Sequence, residues 1–156
     1  MRRVYEEHGA ALVLYARQWC VHPDDALQDA LIDLAQLALD PRDPVAWLFK
    51  TVRRKAINQV RSESRRSRYQ QLAAEQLEPW FTNDPDASMG ASEMESLLAE
   101  LHTLDREIVV ARIWGDLSFE QVAELVDRSL SFVYRRYQQA LRDLEKKIDS
   151  HTRKLS

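Results

Sequence analysis

The sequence predicts an all-α protein that consists of two small helical bundles joined by a flexible acidic linker, with a helix-turn-helix in the C-terminal bundle. Apolar residues recur at steps of three and four along most of the chain, which is typical of amphipathic helices. Only three glycines are present, and few stretches alternate with a period of two, so sheets are not expected. A segment rich in acidic and turn-forming residues separates the two helical regions.

Charge is distributed unevenly along the chain, although the net charge is only −3. Residues 45–68 hold eight basic side chains and one acidic side chain, whereas residues 69–105 hold eight acidic side chains and neither lysine nor arginine. The net charge is −4 over residues 1–44 and +2 over residues 106–156. Because a local field steers binding, we expect the basic segment to face nucleic acid and the acidic segments to face other partners.

Composition also bears on the class of protein. No apolar run approaches the ~20 residues that cross a bilayer. Glu6 and Glu7 precede any apolar region, so a secretory signal is not expected. Cys20 is the only cysteine, which excludes an internal disulfide and is typical of a reducing cytoplasm. The sequence therefore predicts a cytoplasmic protein.

Catalytic chemistry finds no support in the sequence. The four histidines are scattered among different predicted elements, and no glycine-rich loop could cradle a phosphate. A row of carboxylates at Asp25, Asp29 and Asp33 could in principle bind a divalent metal, but a solvated or partner-facing helix flank is the favoured interpretation. We therefore expect no enzyme activity, no cofactor and no metal site.

Three helices are predicted in the N-terminal bundle, the first with an apolar face over residues 5–19. Pro23 opens the second, which runs to about residue 39. Asp43 and Pro44 open the third as an N-cap followed by proline at the first helical position, and this helix runs to about residue 64. Its polar stripe, at steps of four, four and three residues, consists of Lys50, Arg54, Asn58 and Arg61.

The linker is predicted at residues 69–91, where prolines and a glycine interrupt any regular element. Trp80 and Phe81 within it are interpreted as a local hydrophobic contact, with a docking point for a partner as the alternative. After the linker, Ser92 and Glu95 have the spacing of a capping box that would open a helix.

The segment from Leu117 to Ile148 reads as a short helix, a tight turn and a longer helix. The preceding helix is expected to begin with Thr103 as its cap and to end at Gly115. Ser118 and Gln121 have capping-box spacing, with a hydrophobic staple from Leu117 to Val122 around it. Asp127 and Arg128 form the turn, and Ser129 is the expected N-cap of the longer helix.

The longer helix is predicted to be amphipathic. Its buried stripe consists of Val133, Tyr137, Ala140, Leu141, Leu144 and Ile148. Its outward face carries Tyr134, Arg135, Gln138, Gln139 and Arg142. A helix-turn-helix that reads DNA packs one face of this helix on its own bundle and offers the other to a major groove. The alternative is an ordinary helical hairpin with a solvated basic face.

Two ordered segments resemble those of a known family. Residues 25–31 (DALQDAL), followed after a loop by residues 47–61 (WLFKTVRRKAINQVR), resemble domain two of bacterial sigma factors. Residues 101–144, with LDRE at 104–107 and LSFEQVA at 117–123, resemble domain four. The order and the intervening linker are similar to those of the extracytoplasmic-function (ECF) group, which retains only these two domains.

The resemblance implies a domain organisation and a set of contacts. It places a domain two-like unit at residues 1–68, the linker at 69–91 and a domain four-like unit at 92–150. The polymerase-binding positions would be Asp25, Gln28 and Asp29. Contacts to the minus-ten promoter element would come from Lys50, Arg53, Arg54, Asn58 and Arg61. Contacts to the minus-thirty-five element would come from Ser131, Tyr134, Arg135, Arg136, Gln138 and Gln139.

In that scheme, Arg136 and Gln139 match positions that more often touch the DNA backbone, and Trp47 is a core anchor or, as the alternative, a stacking surface for bases. The expected partners are core RNA polymerase, promoter DNA and, as a further candidate, an anti-sigma protein. The chain departs from the family pattern at Arg54, where asparagine is usual, and at Asp127, where the turn usually has glycine. These departures are compatible with the fold, but they bear on which promoter sequence the chain would recognise.

Three hypotheses follow from the sequence. The first is an ECF-like sigma factor that directs RNA polymerase to promoters. The second is a stand-alone helix-turn-helix regulator whose N-terminal bundle serves dimerisation or effector sensing. The third is a sigma-like decoy that binds polymerase or an anti-sigma protein but no DNA.

Overall fold

Helices account for all regular secondary structure in the part of the chain that the structure describes. This computed structural model describes the backbone of residues 1–70 and 89–155 and the side chains of residues 1–66 and 93–155. The helices are α1 (Arg2–Ala16), α2 (Pro23–Ala35), α3 (Pro44–Gln70), α4 (Met89–Ala99), α5 (Thr103–Val109), a short π-helix (Val110–Trp114), α6 (Phe119–Val126) and α7 (Leu130–Leu155). The chain divides into two units, Met1–Glu78 and Pro79–Ser156. The predicted all-α class with two helical bundles is confirmed.

The first unit is a three-helix bundle in which α3 packs against both α1 and α2. Its core centres on Tyr15, whose ring lies edge-on to Phe49 with 5.0 Å between ring centroids. Leu12, Leu48 and Val52 complete this centre and are inaccessible to solvent. Edge-to-face aromatic pairs contribute roughly 0.5–1.5 kcal/mol beyond the stabilisation that comes from burying their surface. The bundle therefore holds α3, with its polar stripe, on a rigid base.

The predicted starts of α2 and α3 are confirmed. Pro23 opens α2. Asp43 caps α3 by accepting a hydrogen bond on Oδ1 from the Ala46 amide at 3.0 Å, and Pro44 is the first residue of the helix. A carboxylate at this position satisfies an amide that has no partner within the helix.

The predicted ends of α2 and α3 are wrong. Helix α2 ends at Ala35 rather than near residue 39, and the side chain of Leu39 is 85% exposed. Helix α3 continues to Gln70 instead of ending near residue 64. Its last turns contain arginine, glutamate and glutamine, which favour helix, and they contain neither glycine nor proline.

The second unit packs α5, the π-helix and α6 against α7, with α4 alongside α7. The residues at its centre are fully or almost fully buried; they are Leu98, Ile108, Val109, Val110, Leu117, Val122, Val133 and Ala140. On α7, Leu144 is buried as predicted, but Ile148 is 41% exposed. The prediction for Ile148 is wrong, since the buried positions on α7 end at Leu144 although the helix continues to Leu155.

Two predicted helix starts in the second unit are also wrong. Helix α4 begins at Met89, so Ser92 lies inside it and is not its N-cap. Helix α5 begins at Thr103 itself, and its N-cap is His102, whose Nδ1 accepts a hydrogen bond from the Leu104 amide at 3.3 Å. Imidazole here takes the role usually filled by a hydroxyl or a carboxylate.

The predicted linker is helical at both of its ends. Helix α3 includes residues 69–70 and α4 includes residues 89–91. The remainder, with Trp80 and Phe81, lies outside the described residues. None of the described helices combines the length and the hydropathy that spanning a bilayer requires.

Candidate nucleic-acid interface

The first helix of the predicted helix-turn-helix is fixed by a capping box. The Ser118 hydroxyl accepts a hydrogen bond from the Gln121 amide at 3.1 Å, and Gln121 Oε1 accepts one from the Ser118 amide at 2.7 Å. Leu117 and Val122, the predicted staple pair, are both buried. Two amides at the helix start are thereby satisfied, as the sequence predicts.

The turn between α6 and α7 depends on a left-handed aspartate. Asp127 has φ 54° and ψ 53°, and the amide of Arg128 donates to the Ala123 carbonyl at 3.1 Å. Aspartate tolerates this conformation better than most residues other than glycine. The chain therefore makes the turn at Asp127 without the glycine that is usual there.

Helix α7, the predicted recognition helix, begins at the expected cap. The Ser129 hydroxyl accepts a hydrogen bond from the Phe132 amide at 3.2 Å. Val133 and Ala140 are fully buried against the bundle. Five of the residues predicted to contact the minus-thirty-five element are exposed: Ser131, Tyr134, Arg135, Gln138 and Gln139. One face of the helix is therefore anchored and the other is accessible to a ligand.

An aromatic cluster braces this accessible face. Phe119, the first residue of α6, meets the rings of Tyr134 and Tyr137 edge-on, with 5.2 Å between centroids in each pair. The Arg112 guanidinium lies over the Phe119 ring at 4.8 Å and donates to the Leu117 carbonyl at 3.0 Å. These contacts join the π-helix, α6 and α7, so α7 is held at a defined angle to α6.

Two of the side chains predicted to contact bases each donate one hydrogen bond within α7. Gln138 Nε2 donates to the Tyr134 hydroxyl at 2.7 Å, and Arg135 Nε donates to the Ser131 carbonyl at 3.3 Å. Gln139 differs, because its amide donates to Asp143 and accepts from Arg142, each at 3.0 Å. Arg135 and Gln138 thus retain polar atoms for a partner, whereas both ends of the Gln139 amide are engaged.

Arg136 lies beside these residues but faces the bundle. Its Nε donates to Asp105 Oδ1 at 2.7 Å, across 31 positions of sequence. The side chain of Asp105 is only 10% exposed, and that of Arg136 is 36% exposed. This ion pair joins α5 to α7 through Nε, and the DNA contact of Arg136 stays a prediction.

The predicted polar stripe of α3 lies on the outside of the first unit. Lys50, Arg54, Asn58 and Arg61 are all exposed. Arg54 Nη2 lies 3.9 Å from Asp33 Oδ2, and that carboxylate is bound more closely by Lys55 at 2.8 Å. The Arg53 guanidinium, also predicted to contact DNA, lies over the Trp19 ring at 5.3 Å.

The predicted polymerase-binding residues form one surface on α2. Asp25, Gln28 and Asp29 are exposed, and they line a shallow groove of about 340 Å³ between α2 and α3. The other residues that line it are His22, Gln59, Ser62, Glu63 and Arg66. The groove is mostly polar, with three carboxylates and one guanidinium, which suits a charged protein surface as partner.

Sequence reasoning missed the residues that orient the recognition helix. The ring of Phe119, the guanidinium of Arg112 and the carboxylate of Asp105 were not singled out, although Phe119 and Asp105 contact α7 and Arg112 lies over the Phe119 ring. Periodicity identifies the buried face of a helix but not the partner of a particular polar side chain. The only available signal was the choice of an aromatic residue immediately after the capping serine.

Comparisons with known proteins agree with this geometry. Residues 91–144 match the family model described as Sigma-70, region 4. Among solved structures, the chain is similar to the sigma factor RpoE of Bartonella quintana, which was crystallised with the anti-sigma factor NepR. The TM-score is 0.68, the identity is 16%, and the match covers 95% of each chain. None of the curated proteins matches the sequence.

The structural likeness extends over both units, whereas the family model covers only the second. At 16% identity, the likeness to RpoE concerns the fold. Together the two findings support the resemblance to sigma factors of the ECF type that the sequence indicates.

Proposed function

We propose that this protein is an ECF-type sigma factor, which binds core RNA polymerase and directs it to selected promoters. In this role the chain supplies contacts to polymerase and DNA, and catalysis belongs to the polymerase. The proposal rests on the match of residues 91–144 to sigma-70 region 4, because that match covers the helix whose polar face is exposed. The proposed site of action is the cytoplasm, where the polymerase works.

The exposed face of α7 supports binding at the minus-thirty-five element. Arg135 and Gln138 point to solvent, while Val133 and Ala140 on the opposite face are fully buried. This division is what a helix needs to enter a major groove without disrupting its own bundle. We assign the contacts with this element to Ser131, Tyr134, Arg135 and Gln138, and of these Arg135 and Gln138 would contact bases.

The first unit supports the remaining contacts. We assign Asp25, Gln28 and Asp29 to the polymerase, since they lie together at an exposed acidic groove. We assign Lys50, Arg53, Arg54, Asn58 and Arg61 to the minus-ten region, since most of this set forms an exposed stripe on one helix. In this assignment the domain boundaries are those of the sequence analysis, at residues 1–68 and 92–150.

We also propose an anti-sigma protein as a partner. The similar RpoE chain was crystallised with the anti-sigma factor NepR. A partner of this kind would cover surfaces that the sigma factor needs for polymerase or DNA. A captured protein would be identified as the anti-sigma partner if it prevents promoter-dependent transcription. It should do so by binding this chain rather than the polymerase.

Run-off transcription tests the main proposal. Purified core polymerase is combined with the full chain and with a library of promoter fragments, and transcripts that begin at defined sites are sequenced. We expect transcripts that depend on the chain and that are lost with the double variant Arg135→Ala/Gln138→Ala. The matched control is Lys146→Ala/Thr152→Ala, which truncates exposed residues of the same helix beyond the predicted interface and is expected to keep transcription.

The same assay separates the alternatives. A decoy would bind polymerase yet give no promoter-dependent transcripts, and the double variant would change nothing. A stand-alone regulator would bind a specific operator without polymerase and would not support initiation. Absence of dependent transcripts, with the chain folded and the core enzyme active, contradicts the proposed function.

A further inference from the structure

We propose that Gln138 reads an adenine next to a guanine read by Arg135, and that Tyr134 is the positioning residue that fixes the orientation of the Gln138 amide. This inference rests on the proposed function and specifies the base pairs that the recognition helix would select. It follows from three contacts on the exposed face of α7: Phe119 with Tyr134, Tyr134 with Gln138, and Ser131 with Arg135.

Tyr134 is held in place although it is 46% exposed. Its ring lies edge-on to Phe119 at 5.2 Å, with an interplanar angle of 73°. Phe119 itself contacts the ring of Tyr137 and the guanidinium of Arg112. The phenol therefore has a fixed base, and its hydroxyl stands one helical turn before Gln138, at the surface that would face DNA.

The bond from Gln138 to this hydroxyl determines what Gln138 can read. Because one N–H of Nε2 is donated to Tyr134 Oη at 2.7 Å, the amide keeps its second N–H and its Oε1 for a partner. Adenine presents the complementary pair in the major groove, an acceptor at N7 and a donor at N6. If the Gln138 amide were rotated so that Oε1 faced the Tyr134 hydroxyl, both of its N–H groups would be available for DNA. They would then favour the two acceptors of guanine.

Arg135 is arranged for guanine. Its Nε is used by the Ser131 carbonyl at 3.3 Å, which leaves the terminal nitrogens as donors at the exposed end. Two parallel donors match O6 and N7 of guanine. Residues three apart are neighbours on a helix surface, about 4.5 Å apart along its axis, which is close to the ~3.4 Å rise of a base pair. We therefore infer that the two bases are adjacent.

Gln139 supplies a matched comparison on the same helix. Both ends of its amide are engaged, by Asp143 and by Arg142. A contact from Gln139 to the DNA backbone would affect all sequences alike, since backbone contacts position a protein without reading bases. The variant Gln139→Ala is therefore expected to leave base preference unchanged.

The test is a selection with the reconstituted holoenzyme on promoters randomised across the minus-thirty-five element, read by sequencing the transcribed templates. The wild-type chain should enrich an adenine adjacent to a guanine. Gln138→Ala should reduce the adenine preference about 5- to 140-fold, which corresponds to ~1–3 kcal/mol at 1.4 kcal/mol per tenfold, and should leave the guanine preference in place.

The variant Tyr134→Phe isolates the positioning role. It keeps the ring against Phe119 and removes only the hydroxyl, so the helix should remain braced. We expect the adenine preference to fall about 2- to 12-fold, the range for loss of one hydrogen bond, without any change at the guanine. A purely structural role for Tyr134 would weaken both positions equally.

Three results would overturn the inference. One is an unchanged adenine preference in Gln138→Ala, and another is a guanine at the position that Gln138 reads. The third is an equal loss at both positions in Tyr134→Phe. In each case promoter-dependent transcription by the wild-type chain would leave the proposed function standing. No transcription from any library member would overturn the inference and the proposed function together.

Discussion

Arg136 lies among the residues predicted to contact DNA, yet its guanidinium donates to the Asp105 carboxylate at 2.7 Å. The carboxylate is almost fully enclosed, so the ion pair is shielded from water on one side. Hydrogen bonds to charged groups stabilise folded proteins by about 1.5–3 kcal/mol, and an enclosed charge that loses its partner costs at least as much. We therefore interpret Arg136 as the residue that fastens α7 to α5.

Replacing Asp105 should lower stability more than replacing an exposed aspartate of the same helix pair. We expect Asp105→Ala to reduce the free energy of unfolding by about 1.5–3 kcal/mol, because it removes the charge-assisted hydrogen bond that joins α5 to α7. The control is Asp149→Ala, an exposed position on α7, with a change of at most about 0.5 kcal/mol. Urea denaturation followed by circular dichroism measures both, and equal losses would argue against the fastening role.

The single thiol gives a pH-dependent prediction. Cys20 is 9% exposed and its Sγ lies 3.5 Å from the Ala16 carbonyl. Burial raises the pKa of this thiol to about 11. Above about pH 8.5 the unfolded chain loses the thiol proton while the folded chain keeps it, so this contribution to stability is present at lower pH and is lost as the pH rises toward 11.

We expect Cys20→Ala to remove that pH dependence. Thermal unfolding between pH 7 and 10 should show the wild-type chain losing stability relative to the variant as the pH rises. Folded protein should also react slowly with alkylating reagents at neutral pH, since the thiolate is the reactive species. A constant difference between the two chains across this range would contradict the raised pKa.

At the scale of elements, the geometry of the helix-turn-helix depends on its turn. Asp127 occupies the left-handed region at φ 54°, and Asp116, which follows Gly115, does so at φ 53°. A residue with a Cβ pays a steric cost there that glycine avoids. The angle between α6 and α7 thus depends on the backbone conformation at Asp127, where aspartate is tolerated better than most other residues with a Cβ.

A pair of substitutions at Asp127 tests this point. Asp127→Ala should be less stable than Asp127→Gly by about 1 kcal/mol, because alanine lacks both the freedom of glycine and the local hydrogen-bonding capacity of aspartate. Chemical denaturation of the two variants gives the difference directly. Equal stability of the alanine and glycine variants would contradict a left-handed conformation at residue 127.

Most of the element pattern could be predicted from local sequence signals. The capping box at Ser118, the cap at Ser129 and the start of α3 at Asp43 are confirmed, since each depends on residues within three positions. The ends of α2 and α3 were predicted wrongly, because α2 stops before its apolar pattern ends and α3 continues through exposed residues that favour helix. Imidazole capping by His102 was missed for a different reason, as histidine is a rare cap.

The candidate site divides in the same way. Exposure of Arg135 and Gln138 followed from helical periodicity, which fixes the face of each residue. The partner of Arg136 did not follow, because Asp105 is 31 positions away and only the packing of α5 on α7 brings them together. Assignment of bases likewise required the contact between Tyr134 and Gln138, which periodicity alone does not specify.

At the scale of the whole molecule, the uneven charge predicts a strong dependence on salt. With about six phosphate contacts, promoter binding by the holoenzyme should weaken with a log–log slope near −5. Lys50→Ala/Arg61→Ala removes two exposed charges of the α3 stripe and should flatten that slope by about 1.4–1.8. Filter binding over a series of salt concentrations measures the slope, with Lys146→Ala/Thr152→Ala as the control. An unchanged slope would show that α3 does not face DNA.

Hydroxyl-radical footprinting of the holoenzyme on a promoter that it transcribes shows whether the exposed face of α7 recognises the promoter. We expect protection near both promoter elements with the wild-type chain. With Arg135→Ala/Gln138→Ala we expect loss of protection at the minus-thirty-five element, while polymerase still binds the chain. Full upstream protection by the double variant would contradict the claim that the exposed face of α7 recognises the promoter.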